Sequence, residues 1–339
     1  MYVLYNYLQL LRSFTLRRAG NAFLILFSYF ISRFLHLPYI KGYPVAFSVE
    51  PTTSCNLRCP ECISGLRAFT RNRGMLSLNN FKQWVDQFHK DACYLTLYFQ
   101  GEPYLNTDFF EMVSYAKQKK IYVSTSTNAH FLTKTNAEKT ILSGLSQLII
   151  SIDGSTNESY KKYRIGGELE KVIEGVKNLV EARKKLKKMN PLIVFQVIVF
   201  RHNEAQLEAI KKLGKELGVD KVQLKSAQIY DYENGSELIP ENSRYSRYEK
   251  ISDGSYRIKN ALEDHCWKMW HSCVVTWDGN MVPCCYDKDG KYVMGNIGNE
   301  MMQNVWNGKN YKEFRMKLLS GRSNLEMCKN CTEGMKIGI

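Results

Sequence analysis

The stretch Cys55-Asn56-Leu57-Arg58-Cys59-Pro60-Glu61-Cys62 places three cysteines at the spacing C-x3-C-x2-C, directly after the apolar β-rich run Ala46–Val49. Three thiolates on one short loop can hold three irons of a 4Fe–4S cube, which takes four protein ligands when it only transfers electrons. The fourth iron then stays open, and an open position separates a reactive metal centre from a closed structural one. A zinc knuckle is the rival reading of the same thiolates. It needs a nearby histidine, and none stands closer than His36 or His89.

Outward from that loop, the runs Tyr94–Phe99, Ile121–Ser126, Gln147–Ile152, Leu192–Phe200 and Lys221–Lys225 continue the β pattern. Between them lie the helical-period segments Ser77–Lys90, Thr107–Lys119, Glu168–Lys188 and Glu204–Leu217, with a short helix expected around Asn136–Leu142. Strands alternating with helices predict an α/β fold with a parallel sheet, whose functional groups gather on the loops at the strands' C-terminal ends. The polar clusters fall there: the cysteine loop, then Gln100-Gly101-Glu102-Pro103, Ser126-Thr127-Asn128 and Ser151-Ile152-Asp153-Gly154. Each also reads as an ordinary turn or cap.

The loop, in this position, resembles that of the radical S-adenosylmethionine (SAM) superfamily, whose C-x3-C-x2-C follows the first strand of a partial (β/α)6 barrel. The resemblance implies that SAM chelates the open iron of a 4Fe–4S cluster and is cleaved reductively to a 5′-deoxyadenosyl radical, which abstracts a substrate hydrogen. It also implies a low-potential electron donor such as flavodoxin or ferredoxin. Gln100-Gly101-Glu102-Pro103 resembles the family's GGE motif, with Gln100 replacing the first glycine; Gly101 would let backbone approach the ligand, and Glu102 offers acceptors to the SAM ammonium. Thr127, Asn128, Ser151 and Asp153 occupy positions where members place SAM contacts. Arg164 matches an arginine found after the fourth strand and suits a carboxylate.

The chain has 10 cysteines; Cys93 stands alone, and six begin at Cys266. Such clustering belongs to metal ligands in a reducing compartment rather than to disulfides. From Cys266 through Trp277-Asp278-Gly279-Asn280-Met281-Val282-Pro283-Cys284-Cys285 to Cys328-Lys329-Asn330-Cys331, the sequence resembles a SPASM/twitch domain. The Asp278-Gly279 turn between apolar runs is a hairpin signal. The resemblance implies one auxiliary 4Fe–4S cluster held by Cys266, Cys284, Cys328 and Cys331, with Cys273 and Cys285 as alternates, acting as electron acceptor. A four-cysteine zinc site uses the same ligands. Asp287 is a candidate base toward substrate or a plain surface carboxylate.

The expected organisation is an amphipathic basic segment (1–45), a barrel core (46–230), a linker (231–265) and the auxiliary domain (266–339). Residues 1–45 carry Arg12, Arg17, Arg18, Arg33 and Lys41 with no Asp or Glu, and their apolar stretch Ala22–Ile31 is too short to span a bilayer. No small-residue cleavage site follows it. The segment reads either as a helix on an anionic membrane surface or as one docked on the barrel. The expected localisation is cytoplasmic, with peripheral contact at the inner membrane face under the first of these readings.

Net charge is +14, yet the basic residues are spread, and the run Arg183 to Lys188 reads as a solvated helix face, so no nucleic-acid partner is expected. The leading function is a radical SAM oxidoreductase acting on a peptide or small molecule. An iron–sulfur electron carrier and a zinc-dependent nucleic-acid binder are the rivals from other classes.

Overall fold

The computed structural model describes residues 1–259 and 262–337. All six expected runs form strands: β1 (Ala46–Val49), β2 (Tyr94–Thr96), β3 (Tyr122–Thr127), β4 (Gln147–Ser151), β5 (Leu192–Val199) and β6 (Lys221–Ser226). Helices Leu78–Phe88, Phe109–Gln118, Lys134–Leu142, Leu169–Lys185 and Leu207–Glu216 separate them. Two begin where a hydroxyl satisfies a free N–H of the first turn: Ser77 accepts from Asn80 N, and Thr133 accepts from Asn136 N. A further helix, Asn157–Tyr163, is too short to show a period and starts at a reciprocal cap between Thr156 and Ser159.

The chain groups into two compact units and passes between them within β3. One comprises the described residues of Met1–Asn6, Cys55–Ala68 and Thr125–Ala261. There β4, β5 and β6 pair in parallel, with Ile149 opposite Val194 and Val197 opposite Leu224. The nearly unbroken apolar sequence of β5, LIVFQVIV, fits a strand covered on both faces. The helix Leu169–Lys185 buries Val172, Val176 and Leu179.

Its basic run is not wholly solvated as expected. Arg183 is buried and donates through Nη2 to Asp220 Oδ1 at 3.1 Å and through Nη1 to Pro191 O at 3.0 Å; its neighbours Lys184, Lys185, Lys187 and Lys188 are exposed. The stretch read as a linker also has structure of its own, an antiparallel hairpin of β7 (Tyr248–Lys250) and β8 (Tyr256–Ile258).

The second unit holds Tyr7–Ser54, Phe69–Ser124 and the described residues from Leu262 onward. Here β1 lies between two parallel neighbours, β2 on one side and β9 (Ser272–Val275) on the other. The expected hairpin forms: β10 (Asn280–Val282) runs antiparallel to β9, Gly279 supplies φ +89° at the turn, and β11 (Gly295–Asn296) pairs with β10. The C-terminal hairpin therefore extends the sheet at the edge of β1. Phe47 of β1 stacks on Phe88 at 3.9 Å between ring centroids.

The N-terminal residues form helices Tyr2–Arg12 and Leu16–Leu35. Among the described residues, no helix is long and apolar enough to cross a membrane.

Removing one partner of a buried ion pair strands the other charge, at a cost of about 3–5 kcal/mol. Asp220→Ala is therefore expected to lower the urea midpoint by that much stability. A change under about 1 kcal/mol, the value of an exposed pair, would show that Arg183 finds compensation.

Candidate metal centres

The C-x3-C-x2-C loop is shaped by its own backbone bonds. Cys62 ends it as the residue before the helical turn Ile63–Leu66, and Gly65 on that turn meets the Cys59 backbone so closely that a Cβ would overlap Cys59 N and O. Arg58 N donates to Ile165 O at 2.9 Å, and Arg67 Nη2 donates to Cys55 O at 2.6 Å. Beneath the loop, Leu57 and Cys59 pack with Tyr163, Phe200, Ala227, Ile229, Ile239 and Tyr248. Ile239 and Tyr248 belong to the stretch read as a linker, so that stretch floors the cysteine loop.

The sulfurs have polar company. Leu57 N lies 3.4 Å from Cys55 Sγ, Asn128 Nδ2 lies 4.0 Å from it, and Arg164 Nη1 lies 3.8 Å from Cys59 Sγ. Burial pushes the Cys59 thiol up, and Arg164 pulls the other way. Burial works against the guanidinium of Arg164, but Asp153 and Cys59 more than offset it and hold its pKa well above the usual value.

Several expected SAM contacts have protein partners. The carboxylate that meets Arg164 is that of Asp153, at 2.6 Å from Nε, and the other Asp153 oxygen accepts from Ile198 N at 2.7 Å. Asn128 donates to Asn56 Oδ1 at 2.7 Å, and Thr127 Oγ1 accepts from Ala129 N at 3.0 Å. Ser151 is buried at the end of β4. Asn128, Asp153 and Arg164 thus form a polar wall around the cysteine loop.

Gln100, Gly101, Glu102 and Pro103 lie in the second unit, all but Gly101 fully buried. Gly101 has φ +74°, and a Cβ there would overlap the Thr52 carbonyl oxygen. This close approach, which by itself demands glycine, is to the chain's own segment leading into Cys55. Glu102 N donates to Ser54 O at 2.7 Å, and its Oε1 accepts from Tyr104 N at 3.3 Å, starting the turn Pro103–Leu105.

Cys266, Cys284, Cys328 and Cys331 are all buried, and they share two cations that sequence reading missed. Arg322 donates through Nη2 to Cys331 Sγ at 3.4 Å and Glu333 O at 2.6 Å, and through Nη1 to His265 O at 2.9 Å. Burial opposes the charge of Lys268, yet Cys285, Cys284, Glu333 and Cys266 raise its pKa overall. Both cations are close to cysteines in sequence, the one signal that could have marked them. Of the alternates, Cys273 faces Arg315 and Tyr311, and Cys285 is exposed beside Cys284.

Among the described residues, no three His, Cys, Asp or Glu side chains converge as ligands of a single ion would. Soft thiol donors with N–H groups and buried cations facing them suit an anionic iron–sulfur group in both places.

Asp287 is buried rather than on the surface. Its two carboxylate oxygens accept from Lys291 N and Tyr292 N, both at 2.8 Å, which closes the turn after Cys285 and gives the carboxylate a structural task. A cavity of about 110 Å³ opens beside Cys284 and Cys285, lined by Ser48, Tyr94, Thr96, Lys268 and His271. Among the described residues His271 Nδ1 has no hydrogen-bond partner, and burial, with Lys268, pushes its pKa down to about 3.

Gly334 touches the second centre most tightly: it has φ +83°, and a Cβ would overlap Cys266 Sγ. Gly334→Ala is expected to displace that sulfur and to reduce iron after reconstitution by about four per chain, the content of one cubane. Full iron content in the variant would show that Cys266 is not a ligand.

A family model described as the radical SAM superfamily matches residues 49–214, and one described as an iron–sulfur cluster-binding domain, SPASM, matches residues 266–332. Mycofactocin maturase MftC of Mycobacterium tuberculosis is 29% identical over 175 residues, 52% of this chain and 43% of the relative. The chain's match thus spans less than half the length of that relative. The corresponding maturase of Mycolicibacterium smegmatis is 24% identical over 296 residues, 80% of this chain and 72% of the relative. The fold is similar to that of Streptococcus suis SuiB bound to S-adenosylmethionine, with TM-score 0.62, 13% identity and coverage of 85% and 72%. It is also similar to BtrN in complex with AdoMet and 2-DOIA, with TM-score 0.53, 19% identity and coverage of 87% and 95%. These likenesses give the architecture as a partial (β/α)6 barrel with a small C-terminal α+β extension. The chain belongs to the radical SAM superfamily and carries a C-terminal cluster-binding domain of the SPASM type.

Proposed function

We propose that the protein is a radical SAM oxidoreductase that modifies a peptide, using a SAM-binding 4Fe–4S cluster at Cys55, Cys59 and Cys62 and an auxiliary 4Fe–4S cluster at Cys266, Cys284, Cys328 and Cys331. The observation that carries this reading is the unequal division of sulfurs: three on an open loop, and four buried together with Arg322 and Lys268. When bound and reduced, the first cluster would supply the electron that breaks the sulfonium C–S bond of SAM, releasing methionine and a 5′-deoxyadenosyl radical that takes a substrate hydrogen atom.

The chain's own residues have defined tasks in this scheme. Leu57 N–H and Arg164 aim positive charge at Cys55 and Cys59, while Asp153 fixes the guanidinium and Tyr163 and Phe200 keep the loop's underside dry. Gly101 presses the turn before Glu102 onto Thr52, which fixes the backbone from which the Glu102 carboxylate projects. Arg322 and Lys268 favour the more negative, reduced state of the auxiliary centre, as an electron acceptor requires. The donor would be a small flavodoxin or ferredoxin.

A peptide substrate is supported by the maturase relatives and by the solved complex of SuiB with the precursor peptide SuiA, to which the chain has a TM-score of 0.61. A small-molecule substrate is the second reading: the chain covers 95% of BtrN, whose structure holds 2-DOIA, against 67% of SuiB in that complex.

Anaerobic reconstitution is expected to give about eight irons per chain and SAM-dependent formation of 5′-deoxyadenosine, both measurable directly. Cys59→Ala should remove about four irons and all 5′-deoxyadenosine. Cys284→Ala should remove about four irons and leave SAM cleavage in place while substrate oxidation is lost. Zinc in place of iron, or SAM cleavage surviving Cys59→Ala, would overturn the assignment. Mass spectrometry of a precursor peptide encoded beside the gene then separates the readings: unmodified peptide alongside consumption of an alcohol substrate favours the second.

A further inference from the structure

The helix Leu16–Leu35 has its polarity inverted relative to an ordinary surface helix. Its buried residues are Arg18, Asn21, Ile25, Ser28, Tyr29 and Ser32, which follow one another around a single face. Four of the six are polar, and each is held by specific bonds. Arg18 donates to the carbonyl oxygens of Ser13, His89, Lys119 and Lys120. Asn21 donates to Tyr43 O and accepts from Tyr43 N. Ser28 accepts from Lys41 N, and Ser32 accepts from Trp270 Nε1 while donating to Tyr39 O.

These bonds set the rotation of the helix about its axis. The opposite stripe is therefore turned outward by construction: Leu16, Phe23, Leu24, Phe27, Phe30 and Phe34 are between 44% and 95% exposed. Covering a large apolar side chain contributes about 1.5–3 kcal/mol, so six left in water are a standing drive toward a partner.

We propose that this stripe docks on an anionic lipid bilayer, with the helix lying in the plane of the interface. Charge identifies the occupant. Residues 1–45 contain no acidic side chain. Arg17 is answered by Asp91 and Arg33 by Glu263, but Arg12, Lys41, Lys90 and Lys120 are exposed around the segment. Lys120 is itself a residue whose carbonyl Arg18 grips. A second copy of the chain would bring like charges together, whereas anionic headgroups neutralise them. At 20 residues, about 30 Å long, the helix has span enough, but Arg17, Arg18 and Arg33 keep it from crossing. Rings on one face and cations around it are the arrangement of an interfacial helix.

The test is cosedimentation of the full-length reconstituted protein with vesicles of phosphatidylcholine containing phosphatidylglycerol, and with phosphatidylcholine alone. Binding to the first, weakened by salt and absent with the second, is expected. Changing Phe23, Phe27, Phe30 and Phe34 together to Ser should reduce partitioning roughly tenfold or more with no loss of iron or thermal stability. Phe34→Glu, at the most exposed of the rings, should act in the same direction, and so should Arg12→Glu with Lys41→Glu. Wild-type protein left in the supernatant, or a four-Ser variant that binds as wild type does, would overturn the proposal. So would light scattering that shows a dimer dissolved by the same substitutions without vesicle binding, which would assign the stripe to a second copy.

Discussion

On the proposed assignment, seven buried or half-buried sulfurs carry negative charge to hold iron, and a thiolate removed from water is costly unless positive charge faces it. Burial pushes the Cys59, Cys328 and Cys331 thiols upward, Cys328 to about 11 even with Arg322 beside it, so the facing cations lessen the cost of a thiolate without removing it. The chain answers with Arg164 at the first centre and with Arg322 and Lys268 at the second. Each arginine is itself held by the protein, Arg164 by Asp153 and Arg322 by the carbonyls of His265 and Glu333. A deprotonated sulfur bound to a metal ion turns this pairing from a cost into a gain, so folding of each pocket and loading of its cluster are linked.

Much of the fold was legible. Hydrophobic alternation located β1 to β6 because parallel strands covered on both faces keep nearly continuous apolar runs, as in β4 and β5. The Asp278-Gly279 turn announced its hairpin because only a residue at ease with φ +89° serves there. What stayed hidden was pairing across long sequence distances, such as β9 beside β1. A strand's own residues do not reveal its neighbour. The connection around Tyr248 misled for a related reason: its polar and tyrosine-rich composition reads as a linker, yet the tyrosine bodies are apolar enough to pack beneath the cysteine loop.

At the sites, the sulfurs were legible and their supports were not. Cysteine spacing is rare in sequence, so C-x3-C-x2-C is conspicuous without any structure. Arginine and lysine are common, and only the nearness of Cys328 in sequence tells Arg322 from a surface residue. The polar residues at strand ends are conspicuous in the sequence, but their protein partners are not: the Asp153 carboxylate clamps Arg164, 11 residues on. Arg183 shows the same limit in reverse. It sits in a run of basic residues that reads as solvated, and Asp220, 37 residues away, takes it inside.

The C-terminal cluster-binding region is not an independent folding body, despite a family boundary at residue 266. Its β9 completes its pairing on β1, Trp270 Nε1 donates to Ser32 across 238 residues, and Trp306 Nε1 donates to Gly42 O. Gln87 binds both Ile297 O and Met302 N from the helix after β1. Contacts of such sequence separation tie the residues around Cys266 and Cys284 to the N-terminal helix and to β1. The N-terminal helix enters the same structure through Ser32, and also through Tyr29, whose hydroxyl meets His265 Nδ1 at 2.7 Å one residue before Cys266. The helix with the outward aromatic stripe is therefore bonded directly to the residues that flank Cys266.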